Sequence, residues 1–159
     1  MRITDQYFWN IVFLLLFGAF FTSSVIILES NPTAALHTLT PFEFLILSLA
    51  TFRLTRLFVH DKIMAFFREQ FYDARKLKTG IVLEKPQSGA RRTLADLMSC
   101  QWCFSMWAGA AVIFSYELTP YAWYPILMLA LSGVGSIFQS SATYIASKAD
   151  VARHDAESV

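Results

Sequence analysis

Cys100 and Cys103, in SCQWCFSMW, are the residues of this chain best suited to chemistry. Two thiols at C-x-x-C spacing fit three tasks. A zinc site takes about four ligands. Besides these sulfurs the chain offers only His37, His60 and His154, far apart in sequence. A metal would therefore need two copies of the pair, brought together in an oligomer. A thiol redox site needs a thiolate. A helix amino terminus with Arg91 or Arg92 nearby would favour one, but no βαβ pattern surrounds the motif, and the cytosol keeps such pairs reduced. The third task is packing: both cysteines serve as small apolar residues beside the anchoring Trp102 and Trp107. Packing is the expectation, with no bound metal or cofactor; if a metal is held, Cys100 and Cys103 are the candidates. No paired carboxylates, Ser/His/Asp set or phosphate-binding glycine loop is present, so the chain is read as a non-enzyme.

The second constellation is ionic. In ATFRLTRLFVHDKI, Arg53, Arg56 and His60 fall at i, i+3 and i+7, along one side of a helix. Ionisable groups inside an apolar helix face protein or water rather than lipid. Three basic groups on one stripe call for an anionic partner. Asp96, in TLADLMSC, is the leading candidate, with Asp61 and Glu69 as alternatives. Two other readings stand beside this pairing: the arginines snorkel to lipid headgroups, across roughly 4–5 Å for Arg56 and 9 Å for Arg53, or they line an ion or substrate path.

These residues sit in an apolar chain. Of 159 residues 55% are hydrophobic, 15 are phenylalanine and the net charge is +1; mean hydropathy is +0.45. This composition suits a membrane protein and carries no field for nucleic acid. Four apolar segments are expected to span, over about 8–28, 42–59, 98–116 and 121–145, in one domain over 1–159. The first is long for a cleaved signal and lacks an A-x-A site, so it is expected to remain as a span. Small residues four apart mark helix-packing faces: Ser105 with Gly109, and Ser132, Ser136 and Ser140. Phe13, Phe17, Phe20 and Phe21 remain for lipid or a second subunit.

Charge placement orients the spans. No Lys or Arg lies in 29–41 or 117–120. Lys62, Arg68, Arg75, Lys76, Lys78, Lys85, Arg91 and Arg92 all lie between the second and third spans. The positive-inside rule then puts both termini, the 60–97 segment and the 146–159 tail in the cytoplasm. His60–Leu77 reads as an amphipathic helix, with Ile63, Phe66, Phe67, Phe71 and Ala74 on its apolar side. IVLE, at 81–84, is suited to a short strand or hairpin arm.

TFRLTRLFVHDKI, FRE at Phe67–Glu69 and LMSCQWCFSMW together resemble a bacterial family of unknown function that includes the sporulation protein YjcA. The resemblance covers about Leu45 to Leu131, and Gln101 stands where it leads one to expect proline. It implies a membrane location and no known enzyme activity. The expected fold is all-α and polytopic, with about four transmembrane helices and a cytoplasmic amphipathic helix, in a bacterial inner membrane. The expected role is assembly or scaffolding, as a homo-oligomer or beside another membrane protein, with the basic segment on anionic headgroups or a protein partner. A small holin-like pore and a thiol or metal protein acting through the cysteine pair are the alternative roles.

Overall fold

The computed structural model describes residues 3–30, 39–77 and 80–157. Helices carry the fold: α1 (Ile3–Ser30), α2 (Pro41–Val59), the short α3 (Ala65–Glu69), α4 (Ala90–Ser99), α5 (Gln101–Leu118) and α6 (Trp123–Glu157). The connection expected over 29–41 falls mostly on 31–38, outside the described residues, as do Arg2 and Lys78.

Among the described residues two helical stretches, Gln6–Ser30 and Pro120–Val151, are long and apolar enough to cross a membrane; a third is reached if α4 and α5 count as one broken span. The segment expected as the third span, 98–116, is not one straight helix. Cys100 is extended, with φ −104° and ψ 103°, and α4 and α5 meet there at 89°. α4 therefore lies across the end of α5 instead of extending it. α2 has the length of a span, at 19 residues or about 29 Å, but carries Glu43, Arg53 and Arg56.

α2 is the axis of the bundle. Its residues Ile46, Leu47 and Ala50 form the core with Val112 of α5 and with Ile126 and Ala130 of α6. Its start is fixed by a capping box: the Glu43 amide donates to Thr40 Oγ1 at 3.3 Å, and the Thr40 amide donates back to Glu43 Oε2 at 2.8 Å. Pro41 at the first turn costs no hydrogen bond. Tyr116 Oη donates to Glu43 Oε1 at 2.9 Å, which ties the start of α2 to the end of α5 and makes them antiparallel. α1 packs through aromatic contacts, Phe17 against Trp107 at 4.9 Å and Phe20 against Phe114 at 6.1 Å. At its amino end Gln6 Nε2 donates to Thr93 Oγ1 of α4 at 2.9 Å.

The expected amphipathic helix over His60–Leu77 does not form. The chain makes a 3₁₀ turn (Lys62–Met64), the five-residue α3, and an antiparallel hairpin of β1 (Asp73–Leu77) and β2 (Gly80–Glu84), with Asp73 opposite Glu84. IVLE thus lies in a strand. Two arginines supply the reason. Arg68 Nη1 donates to the Phe58 and Asp61 carbonyls at 2.7 and 3.2 Å, folding the chain back over the end of α2. Arg91 takes the Gln70 carbonyl and the Asp73 carboxylate, at 3.1 and 3.0 Å, where a continuous helix would need its own carbonyls. Ile63 and Phe66 remain exposed, while Phe67 packs on Phe58 and Phe71.

Gly133 sets the closeness of α2 and α6. A Cβ there would lie 2.8 Å from the Leu49 carbonyl oxygen, which is backbone and cannot swing aside. Gly135 has nothing within 4 Å. Gly133→Ala is expected to destabilise the detergent-solubilised protein by about 1–3 kcal/mol, while Gly135→Ala leaves the melting temperature unchanged or raised. Melting of Gly133→Ala at or above the wild-type temperature would contradict this packing.

Candidate functional site

The ionic residues gather where α2 ends. His60 N–H and Asp61 N–H both donate to the Arg56 carbonyl, at 2.9 and 3.1 Å, so the helix stops and the chain turns back. The turn brings Asp61 beside Arg53, with Arg53 Nη1 2.9 Å from Asp61 Oδ2. Arg53 Nε donates to Ser132 Oγ of α6 at 2.8 Å. The expected pairing of Arg53 with Asp96 is therefore incorrect; Arg53 is held by Asp61, one of the two alternatives.

Asp96 has other partners. It lies on α4, which the bend at Cys100 sets at 89° to α5. Lys85 Nζ reaches its Oδ1 at 2.9 Å and Arg92 Nε its Oδ2 at 3.0 Å. Partial burial opposes ionisation, but the hydrogen bonds and charges of Lys85 and Arg92 outweigh it and hold the Asp96 carboxyl below its ordinary range. Lys85 also donates to Ser99 Oγ at 2.7 Å, and Arg92 Nη1 to the Pro86 carbonyl at 3.1 Å. One carboxylate thus fixes α4 to the loop before it. Gly89, with φ +95°, allows the turn into that helix.

The stripe of Arg53, Arg56 and His60 divides between two sides of α2. Arg53 faces α6. His60, past the last helical residue, faces α5, with its Nε2 3.2 Å from Gln101 Oε1. Arg56 lies between and lines cavities on both sides. One, of about 370 Å³, is shared with Arg53, Asp61, Ser132, Ser136 and Ser140. The other, of about 720 Å³, lies between α2 and α5.

The small-residue faces meet α2 more than each other. A Cβ on Gly109 would touch Thr51 Cγ2 at 3.5 Å. Ser105 Oγ donates to the Trp102 carbonyl. Ser136 and Ser140 donate to the Ser132 and Ser136 carbonyls at 2.9 and 2.8 Å, along their own helix.

Cys100 and Cys103 are both free thiols. Cys100 caps α5, its Sγ accepting the Cys103 amide at 3.4 Å, and the two sulfurs are 2.7 Å apart. They line a cavity of about 440 Å³ with Asn10, Thr93, Asp96 and Trp107. Among the described residues no three potential ligands from His, Cys, Asp and Glu converge on one point. Trp102 stands outward, 78% exposed.

Sequence reasoning missed the roles of Gln6, Glu43, Arg68 and Lys85. T-x-x-E at 40–43 signalled the capping box, and Gln6 with Asn10 formed a polar i, i+4 pair opening an apolar helix. Nothing local indicated that Arg68 would cap the end of α2.

A double-mutant cycle tests the ionic geometry. Arg53→Gln and Asp61→Asn are each expected to destabilise, with a coupling of about 1 kcal/mol or more, whereas Arg53→Gln with Asp96→Asn adds within about 0.5 kcal/mol. Thermal unfolding in detergent reads both. Absence of coupling in the first cycle, or coupling in the second, would overturn the assignment.

A family model described as "Protein of unknown function (DUF1360)" matches residues 46–142. The sporulation protein YjcA of Bacillus subtilis (strain 168) is 36% identical over 104 residues, covering 60% of this chain and 86% of that protein. The UPF0713 protein YngL of the same organism is 31% identical over 101 residues, covering 62% and 76%. No solved structure matches. The matched range begins in α2 and ends in α6, so it holds the arginine pair, the ionic cluster and both cysteines, and leaves out α1. The resemblance expected from the arginine and Cys-x-Trp-Cys motifs is thus confirmed over more than half the sequence, and the chain belongs to this bacterial family of unknown function that includes YjcA.

Proposed function

We propose that the chain is a single-domain, non-enzymatic, multi-pass protein of the bacterial inner membrane, which assembles with copies of itself or serves as an accessory subunit to another membrane protein. In this reading α1, α2, α5 and α6 cross the bilayer and both termini are cytoplasmic. α4, α3 and the hairpin lie at the cytoplasmic face, against anionic headgroups or a protein partner.

The observation that carries the proposal is the separation of apolar surface from charge. Leu14, Leu15 and Leu16 of α1 and Met128, Leu131 and Phe138 of α6 point outward and exposed. The ion pairs of Arg53, Lys85, Arg91 and Arg92 lie after the middle of α2 and before α5 in sequence. A chain in water would bury the first set, and a chain in lipid has no need to. α2 fits a span because Glu43 is in its first turn, Arg56 in its last, and Arg53 is turned into protein. α6 is 35 residues, about 53 Å, and so outruns a hydrocarbon core of about 30 Å. Its second half, exposed from Ile137 to Val151, leaves the bundle and is available for assembly.

Native mass spectrometry on complexes released gently from membranes tests the assembly. The expected result is a species above the 18.1 kDa monomer, either a multiple of it or a heteromer. Monomer alone at all protein concentrations would contradict it.

A further inference from the structure

We propose that the cavity between α2 and α5 is a binding site for an anionic phospholipid, whose phosphate sits on Arg56. The cation is available. Arg53 is neutralised by Asp61 at 2.9 Å, and Arg91 and Arg92 by Asp73 and Asp96. The Arg56 guanidinium has no hydrogen-bond or ion-pair partner among the described residues; only its carbonyl is bonded, to the His60 and Asp61 amides. No carboxylate lines the cavity, so nothing there repels an anion. In the tautomer in which His60 Nε2–H donates to Gln101 Oε1, the Gln101 amide NH₂ is left as a second donor lining the cavity. A guanidinium and an amide at one end of a cleft suit a phosphate oxyanion.

The rest of the cavity favours a lipid over a free phosphate. Its volume of about 720 Å³ is in the range of small-molecule sites and far exceeds what a bare phosphate fills. Its lining runs along α2 from His60 to Ser48, about 18 Å. Deeper in, the hydroxyls of Ser48, Thr51 and Thr55 donate to carbonyls four residues back, at 2.7–2.8 Å, so their hydrogens make no demand on a ligand. Phe52 and the exposed Trp102 stand at its edge and offer apolar surface to an acyl chain. The charged end lies at the end of α2, where headgroups sit if that helix crosses the bilayer.

The site rests on the reading of the chain as membrane-embedded, and the two fail separately. A chain that fractionates with soluble proteins fails that reading. A membrane-extracted chain whose lipid binding ignores Arg56 fails only the site. The test is native mass spectrometry of the full chain in detergent, titrated with phosphatidylglycerol and, separately, with phosphatidylethanolamine. The expected result is selective retention of phosphatidylglycerol, weakened about tenfold in Arg56→Gln and unchanged in Lys62→Gln, an exposed cation outside the cavity. Ser105→Phe fills the cavity from α5 without altering Arg56, and is expected to lower retention equally; it decides the matter if Arg56→Gln does not fold. Equal retention in the wild type and both cavity variants would overturn the site. Displacement of phosphatidylglycerol by millimolar inorganic phosphate would overturn the lipid as occupant.

Discussion

A guanidinium on an otherwise apolar helix must find its partners in protein or water, because the apolar side chains beside it supply none. Arg53 meets this demand from two directions. Its Nη1 meets Asp61, which arrives by the reversal of the chain after α2, and its Nε donates to Ser132 on α6. The first contact fixes how α2 ends. The second fixes how α6 sits against it. Close approach of the two helices at Gly133, against the Leu49 carbonyl, brings Ser132 within reach. A bulkier residue at 133 would push α6 away and leave the guanidinium short of one partner.

The remaining charges follow from this arrangement. With Asp61 committed to Arg53, Asp96 is free to hold Lys85 and Arg92 and so to pin α4 across the end of α5. Arg68 and Arg91 spend their donors on backbone carbonyls of the turn and loop. Arg68, Lys85, Arg91 and Arg92 of the basic middle segment are therefore engaged within the fold. The Arg56 guanidinium stands apart, between two cavities, without a bonded partner among the described residues.

Long apolar periodicity made α1 and α6 legible, since a run such as FWNIVFLLLFGAFF has no other economical solution than a helix in lipid or in a core. The arginine and C-x-W-C motifs carried the family, and the need for an acidic partner near Arg53 followed from its apolar setting. The identity of that partner did not. Asp61 lies on the far side of a helix end, and whether a chain turns back there depends on Arg68, whose capping contacts are tertiary. The same contacts overrode the amphipathic pattern of His60–Leu77. The bend at Cys100 was equally hidden, because MSCQWCFSM carries no charge, glycine or proline and periodicity does not register a break in direction. The cavity beside Arg56 arises from two helices and has no sequence signature.

The most direct test of this account is the ¹⁵N–¹H signal of the Arg53 Nε in the detergent-solubilised protein. A hydrogen bond to Ser132 predicts a sharp Nε–H resonance that exchanges slowly with water, and that Ser132→Ala returns to rapid exchange. An Arg53 Nε–H that exchanges as fast as an exposed arginine's, or that ignores Ser132→Ala, would contradict the claim that Arg53 joins α2 to α6.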